Sequence, residues 1–260
     1  MNFIKIELCA NSNIKMNKKK IKYLLSLSPY GLYEIYRNKN KHANCIKNQK
    51  LIIDNYLQNY EVRKLQIGCG SNILDGWLNT DLNYNDEVAF LDAGQKFPIE
   101  SNIFDYVYSE HLFEHLKLEQ QLNMFRESYR ILKKGGIMRI ATPSLEFLFK
   151  LYSAPTAQEN VQYIDWAVKN IPNLKSVNSL IDIEEHYCYV INNFFKAWGH
   201  QMIHNYSSIK KLALQCGYKQ VRQCKVGESD ASVLRNIEKH GFIIPENINL
   251  METMVIEIIK

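Results

Sequence analysis

The sequence predicts an open α/β fold, a mostly parallel sheet whose ligand edge lies at the carboxyl ends of its strands. Two observations predict it. Leu65, Gln66 and Ile67 read as the end of a buried strand that runs directly into a glycine turn, Gly68-Cys69-Gly70, where bare backbone lets another group approach closely. A second short strand, Trp77 to Thr80, ends in Asp81, which sets a carboxylate beside that turn if the two strands run parallel. In open α/β sheets this edge is where ligands bind.

The spacing also narrows the ligand. A dinucleotide fingerprint has a third glycine three residues after the second and an acidic residue about 20 positions further on. Here Ile73 stands at the third-glycine position and Asp81 follows Gly70 by only eleven residues. A nucleoside without phosphates fits better, its two ribose hydroxyls donating to the carboxylate while its tail lies against the glycine turn. S-adenosylmethionine is such a nucleoside.

Three blocks, LQIGCGSNILDGWLNTDLN, FPIESNIFDYVYSEHLFEHL and YRILKKGGIMRIATPS, occur in this order. Together they resemble the class I S-adenosylmethionine-dependent methyltransferases, and the GWLNTD link resembles the branch met beside bacterial surface-polysaccharide genes. The resemblance covers residues 64 to 144 and, more weakly, 199 to 260. It implies a Rossmann-like seven-stranded sheet, mostly parallel with the last strand antiparallel, and S-adenosylhomocysteine as product. The expected cofactor contacts are Gly68, Cys69, Gly70, Asp81, Leu82, Asp92, Ala93, Ser109 and His111.

The residues ahead of the turn form a basic, helical extension, residues 1–62, before a methyltransferase domain at 63–260. Ile21, Leu24, Leu25 and then Tyr30, Tyr33, Tyr36 recur at helical spacing, broken at Pro29-Tyr30-Gly31. Much of the net charge of +5 lies here, in Lys15, Lys18, Lys19, Lys20 and Lys22 and in Arg37, Lys39, Lys41, Lys47 and Lys50. It reads as a solvated helical surface, as attraction to an anionic acceptor, or as peripheral contact with an acidic membrane face. No RNA-binding module accompanies it, so a stable nucleic-acid partner is not expected. Six cysteines without a CxxC pair indicate neither a zinc ribbon nor a disulfide framework. No apolar run approaches roughly 18 residues, and no signal-peptide core is evident. A cytoplasmic protein of open oligomeric state is the expectation.

After Asp81, a third strand at Glu87 to Leu91 ends in Asp92-Ala93. The resemblance gives Asp92 the exocyclic amine of adenine, and the alternative is a turn aspartate. Phe104 to Tyr108 is the fourth strand, with Asp105 structural by the same resemblance. It delivers Ser109-Glu110-His111-Leu112-Phe113-Glu114-His115 to the ligand edge. A helix starting near His111 puts His111, Glu114 and His115 on one face, and three readings stay open. The three side chains hold a divalent metal, as Glu-x-x-Glu-His does for magnesium in some methyltransferases, although histidine at the first ligand position suits softer metals. Alternatively His111 lines the cofactor pocket and acts on the acceptor while Glu114 and His115 support the loop. In the third reading all three are structural. The preferred chemistry requires no metal.

Leu118, Leu122, Phe125, Tyr129 and Leu132 follow at helical spacing and read as core; the helix stops at Lys133-Lys134-Gly135-Gly136, basic residues and a glycine cap. Gly136 to Ala141 is the fifth strand. Residues 145–206 depart from the pattern as a helical insertion rich in aromatic residues, expected to form the acceptor pocket or its lid. Within it, Asp182 to His186 and Trp198-Gly199-His200-Gln201 are the candidate acceptor contacts. His186, His200 and His204 each have a surface or core reading, and His200, beside a glycine that suggests a constrained turn, is the second candidate base after His111. A helix over Ser208 to Cys216, capped by Ser207, a sixth strand at Val221 to Val226, a turn at Gly227 to Asp230 and a seventh strand at Met254 to Ile259 complete the chain.

The expected activity is methyl transfer to a small polar acceptor, an oxygen on a sugar, nucleotide sugar or phosphate-derived intermediate of capsule or lipopolysaccharide synthesis. An RNA or protein methyltransferase and a noncatalytic binding module of the same fold are the alternatives.

Overall fold

The computed structural model describes residues 49–180 and 185–260; the basic cluster from Lys15 to Lys47, the helices expected there, and Asp182, Ile183 and Glu184 lie outside them. From Lys47 onward the chain forms one compact unit. Its sheet comprises β1 (Lys64–Ile67), β2 (Leu78–Asp81), β3 (Ala89–Phe90), β4 (Phe104–Glu110), β5 (Leu132–Pro143), β6 (Gln220–Cys224) and β7 (Thr253–Ile259). The order is β3-β2-β1-β4-β5-β7-β6. Neighbouring strands from β3 to β5 are parallel, and β7 is antiparallel to both β5 and β6. The chain moves outward from β1 to β3, then returns to lay β4 on the other side of β1. That reversal opens a crevice between the carboxyl ends of β1 and β4.

Leu65, Ile67, Leu78, Val107, Met138, Ile140, Val255, Ile256 and Ile258 are buried, as strands covered on both faces require. A helix over 49–59 (α1) adds Ile53 and Tyr56 to this core. The Tyr56 hydroxyl accepts the Lys64 amide (2.8 Å) and donates to the Lys64 carbonyl (3.0 Å), tying α1 to β1. This helix falls within the stretch expected as a helical extension, and it packs into the core of the sheet.

Helix α2 (Leu118–Ile131) buries Met124, Phe125, Ser128 and Ile131, whereas Leu118, expected in the core, is exposed. The helix does not end in a glycine cap. Leu132 is already extended, and the glycines lie in β5. Leu132 pairs with Phe104 and Ile137 with Tyr106, so the extra residues bulge, with Gly135 at φ +78°. Lys133 reaches Asp105 (2.8 Å) instead of helix carbonyls, and Asp105 also accepts the Arg63 amide (2.8 Å).

The insertion is helical, with α3 (Leu145–Ser153), α4 (Gln158–Asn170), α5 (Val177–Leu180) and α6 (His186–Lys196). It builds its own apolar cluster around Phe147, Leu151, Tyr163, Ala167, Val190 and Phe194. Helix α7 (Tyr206–Gln215) starts earlier than expected because Asn205, not Ser207, caps it, accepting the Ser208 amide (2.9 Å). A last helix, α8 (Glu246–Glu252), precedes β7. No helix among the described residues is long and apolar enough to cross a membrane.

Register places Arg139 of β5, Glu257 of β7 and Arg222 of β6 in one row. Arg139 donates to Glu257 (2.7 Å) and to Glu238 of the β6–β7 connection (2.6 Å), all three being buried. Arg222 donates to the other Glu257 oxygen (2.9 Å). Burial by itself raises the Glu257 carboxyl, but a bond from Ser229 and the two guanidiniums outweigh it and hold the group below the usual range. Replacing Arg139 by Met leaves the buried Glu238 without its cation and Glu257 with Arg222 alone, so Arg139→Met should lose about 3–5 kcal/mol of unfolding free energy by chemical denaturation. Because the folded carboxyl lies below its unfolded value, its stabilisation is present above the unfolded pKa and is lost as pH falls through the folded one. Glu257→Gln should accordingly flatten part of the acid limb of the stability profile.

Candidate functional site

The glycine turn is knitted to β2. Gly68 and Cys69 both donate to the Thr80 carbonyl (2.8 and 3.0 Å), and the Thr80 hydroxyl donates to the Gln66 carbonyl (2.7 Å). Gly68 has φ +70°, a conformation that favours glycine, and a Cβ there would crowd the Leu112 side chain at 2.7 Å. The Gly70 amide donates to one Asp81 oxygen (2.9 Å) and the Asn83 amide to the other (2.8 Å). Each oxygen keeps a lone pair for a hydroxyl donor.

Over this turn opens a cavity of about 420 Å³, lined by residues 68–72, by Glu110 and His111 at the end of β4, and by Lys239, His240, Phe242 and Ile243. His111 has φ +45°, an uncommon conformation for a histidine and one met at functional sites. Its Nδ1 meets the Glu114 carboxylate (3.1 Å), and the Thr142 hydroxyl donates to the other Glu114 oxygen (3.0 Å). An ionised carboxylate only accepts, so neutral His111 keeps its proton on Nδ1 and its lone pair on Nε2. That Nε2 is buried without a partner among the described residues, beside the ring of His240 at 3.8 Å between centroids.

Burial opposes a charge on His111, but the bond to Glu114 and the carboxylates of Glu114, Glu252 and Glu110 outweigh it and raise the imidazole above its ordinary value. Burial likewise pushes Glu114 up, and His111 pulls it below the carboxylate range. Opposite His111, the Lys239 and His240 amides donate to Glu110 (2.8 and 2.9 Å), and Asn72 donates to the same carboxylate (3.3 Å). His240 reaches Glu252 (3.4 Å), which also accepts the Tyr163 hydroxyl.

The expected residues divide. Gly68, Cys69, Gly70 and His111 line the cavity, and Asp81 is bonded to the turn. Asp92 accepts the Gly94 amide (2.8 Å), the geometry of a turn aspartate. Leu82 is exposed, Ala93 is buried, and Ser109 is buried with its hydroxyl unpartnered among the described residues; none of these four lines the cavity. Burial first, and the Asp81 charge second, push the Cys69 thiol up to about 11, which makes it an inert wall.

The face expected for His111, Glu114 and His115 does not form as one set. Phe113–His115 is a single 3₁₀ turn preceded by the left-handed His111, and in that winding residues three apart align while the fourth turns away. His111 meets Glu114, while His115 meets His200, with ring centroids 4.8 Å apart. His200 thus stands outside the cavity lining, in the constrained turn the sequence suggested, with Trp198 at φ +56° and Gly199 at φ +82°. His204 is buried, both nitrogens bonded, to Ser208 and Gln121 (2.9 Å each), and His186 is buried at the start of α6. Glu110 is not among the residues the sequence singles out, although it lies between Ser109 and His111. Nor are Lys239 and His240, for which no local pattern exists.

Residues 65–140 match the family model described as a methyltransferase domain. That stretch of the chain is a methyltransferase domain. Similar solved structures include an S-adenosylmethionine-dependent methyltransferase from Archaeoglobus fulgidus, 18% identical, covering 90% of this chain and 100% of that one, with a TM-score of 0.41. Another, from Mesorhizobium loti, is 13% identical over 76% of this chain and 91% of that one, TM-score 0.42. Phosphoethanolamine N-methyltransferase 2 of Haemonchus contortus, in complex with phosphomonomethylethanolamine and S-adenosylhomocysteine, is 14% identical, with 76% of this chain and 48% of that one covered and a TM-score of 0.37. No curated protein sequence matches the chain.

Removing a charged hydrogen-bond partner costs about 1.5–3 kcal/mol. Asp81→Ala should therefore weaken S-adenosylhomocysteine binding about 10- to 100-fold in calorimetric titration. Unchanged affinity in a folded variant would remove Asp81 from the donor site.

Proposed function

We propose that the domain transfers the methyl group of S-adenosylmethionine to an oxygen of a small polar acceptor, a sugar, nucleotide sugar or phosphate-derived intermediate. The observation that carries this reading is the His111–Glu114 pair at the carboxyl end of β4, beside the glycine turn. The acceptor oxygen attacks the methyl carbon, the carbon–sulfur bond breaks with its electron pair going to sulfur, and His111 Nε2 takes the hydroxyl proton. The products are the methyl ether and neutral S-adenosylhomocysteine.

A methyl on a sulfonium is already activated, so alignment of oxygen, carbon and sulfur supplies much of the rate, on the order of 7–11 kcal/mol. A neutral hydroxyl still gains roughly 10²- to 10⁴-fold from a base. Glu114 orients that base and stabilises its imidazolium. Lys239, on the opposite wall, suits an anionic acceptor. The setting in capsule or lipopolysaccharide assembly is supported by the resemblance of the GWLNTD segment alone.

Purified protein should bind S-adenosylhomocysteine with micromolar affinity by calorimetry and give no heat with NAD. Methyl transfer from labelled donor is then scored against sugars, nucleotide sugars and phosphorylated intermediates. His111→Ala should cut turnover about 10²- to 10⁴-fold on the acceptor found, with donor affinity nearly unchanged. Equal turnover in that variant overturns the base assignment, and labelling of RNA or protein in place of the small molecules overturns the acceptor class.

A further inference from the structure

The loop after β4 and the strap after α6 bring Glu114, His115 and His200 together, one ligand atom of each lying within 4.8 Å of the others. Their placement is built rather than incidental. The Gln201 and Met202 amides both donate to the Glu114 carbonyl (2.7 and 3.2 Å), so the strap carrying His200 is fixed to the residue that supplies the carboxylate. The strained turn at Trp198 and Gly199 bends the strap so that His200 faces His115. His200 Nδ1 donates to the Phe194 carbonyl (2.6 Å), which places the lone pair on Nε2. Metal-binding histidines are oriented by this same outer bond. Glu114 is fully buried, and His111 at one oxygen and Thr142 at the other fix its orientation, each oxygen keeping a lone pair.

We propose that Glu114, His115 and His200 bind one divalent transition-metal ion of the zinc class. Two imidazoles and one carboxylate suit zinc better than magnesium, which takes oxygen ligands and retains its waters. Three protein ligands leave a coordination position open to water or to an acceptor oxygen. The set differs from His111, Glu114 and His115, because His111 Nδ1 is committed to Glu114 and its place is taken by a residue of the insertion. Bound there, the ion joins the insertion to the β4 loop at the carboxylate that also meets His111.

The test uses the full chain, stripped with a chelator and dialysed, and no methyl donor, so its outcome is separate from the methyl-transfer reading. Zn²⁺ should bind at one equivalent by calorimetry, Mg²⁺ should give no heat, and Co²⁺ should develop visible ligand-field bands. His200→Ala and, independently, His115→Ala should each weaken Zn²⁺ binding by at least about 100-fold, with circular dichroism confirming the fold, and His200→Asp should recover part of the loss. Absence of Zn²⁺ binding in folded wild-type protein, preference for Mg²⁺, or wild-type affinity in both alanine variants would overturn the site.

Discussion

A single carboxylate, that of Glu114, holds the functional end of the molecule together. A fully buried carboxylate loses its hydration at a cost of several kcal/mol unless its oxygens are engaged. Here one oxygen meets His111 and the other accepts from Thr142 at the end of β5. The carbonyl of the same residue receives two amides of the strap after α6. Satisfying one residue therefore fixes the rotamer of His111, the approach of β5 and the seat of the helical insertion. Such an arrangement contributes more to a unique geometry than to net stability, because the Coulombic gain is largely offset by desolvation.

Glu110, one residue before the left-handed His111, imposes the complementary constraint. It accepts the amides of Lys239 and His240, while the preceding Glu238 is held by Arg139. Three consecutive residues of the β6–β7 connection are thus fixed to β4 and β5. Leu234 and Ile237 of the same connection pack in one cluster with Trp77 and Tyr108. The apolar contacts fix where the segment lies, and the charged ones fix which side chains it presents. His240 reaches His111 for this reason, and the cavity over the glycine turn has a wall contributed from far along the chain.

Where local pattern sufficed, the sequence could be read directly. The glycine turn needs positive φ at Gly68 and Gly70, a property of two residues and their neighbours. Asp81 follows from strand length, and the strand-rich order from apolar runs of strand size. At the end of α2, Lys133-Lys134-Gly135-Gly136 has the composition of a helix cap. It forms instead a bulge whose existence depends on pairing with Phe104 and Tyr106. Leu118 fits helical spacing, yet the face that packs is centred on Met124 and Phe125, since the direction of the core is set by the sheet and not by the helix.

The sequence by itself determined the class of fold, the glycine turn with its carboxylate, and the block that carries His111, Glu114 and His115. Each of these is encoded within a stretch where backbone preference and side-chain spacing act together. Only the tertiary structure decided the partners: that Glu114 turns to His111 while His115 turns to His200, that Glu110 anchors the β6–β7 connection, and that His240 lies against His111. These contacts join segments brought together by strand order and by the packing of an insertion. Hydrogen bonds between such segments leave no periodicity in either one, because their geometry exists only after the chain has closed on itself.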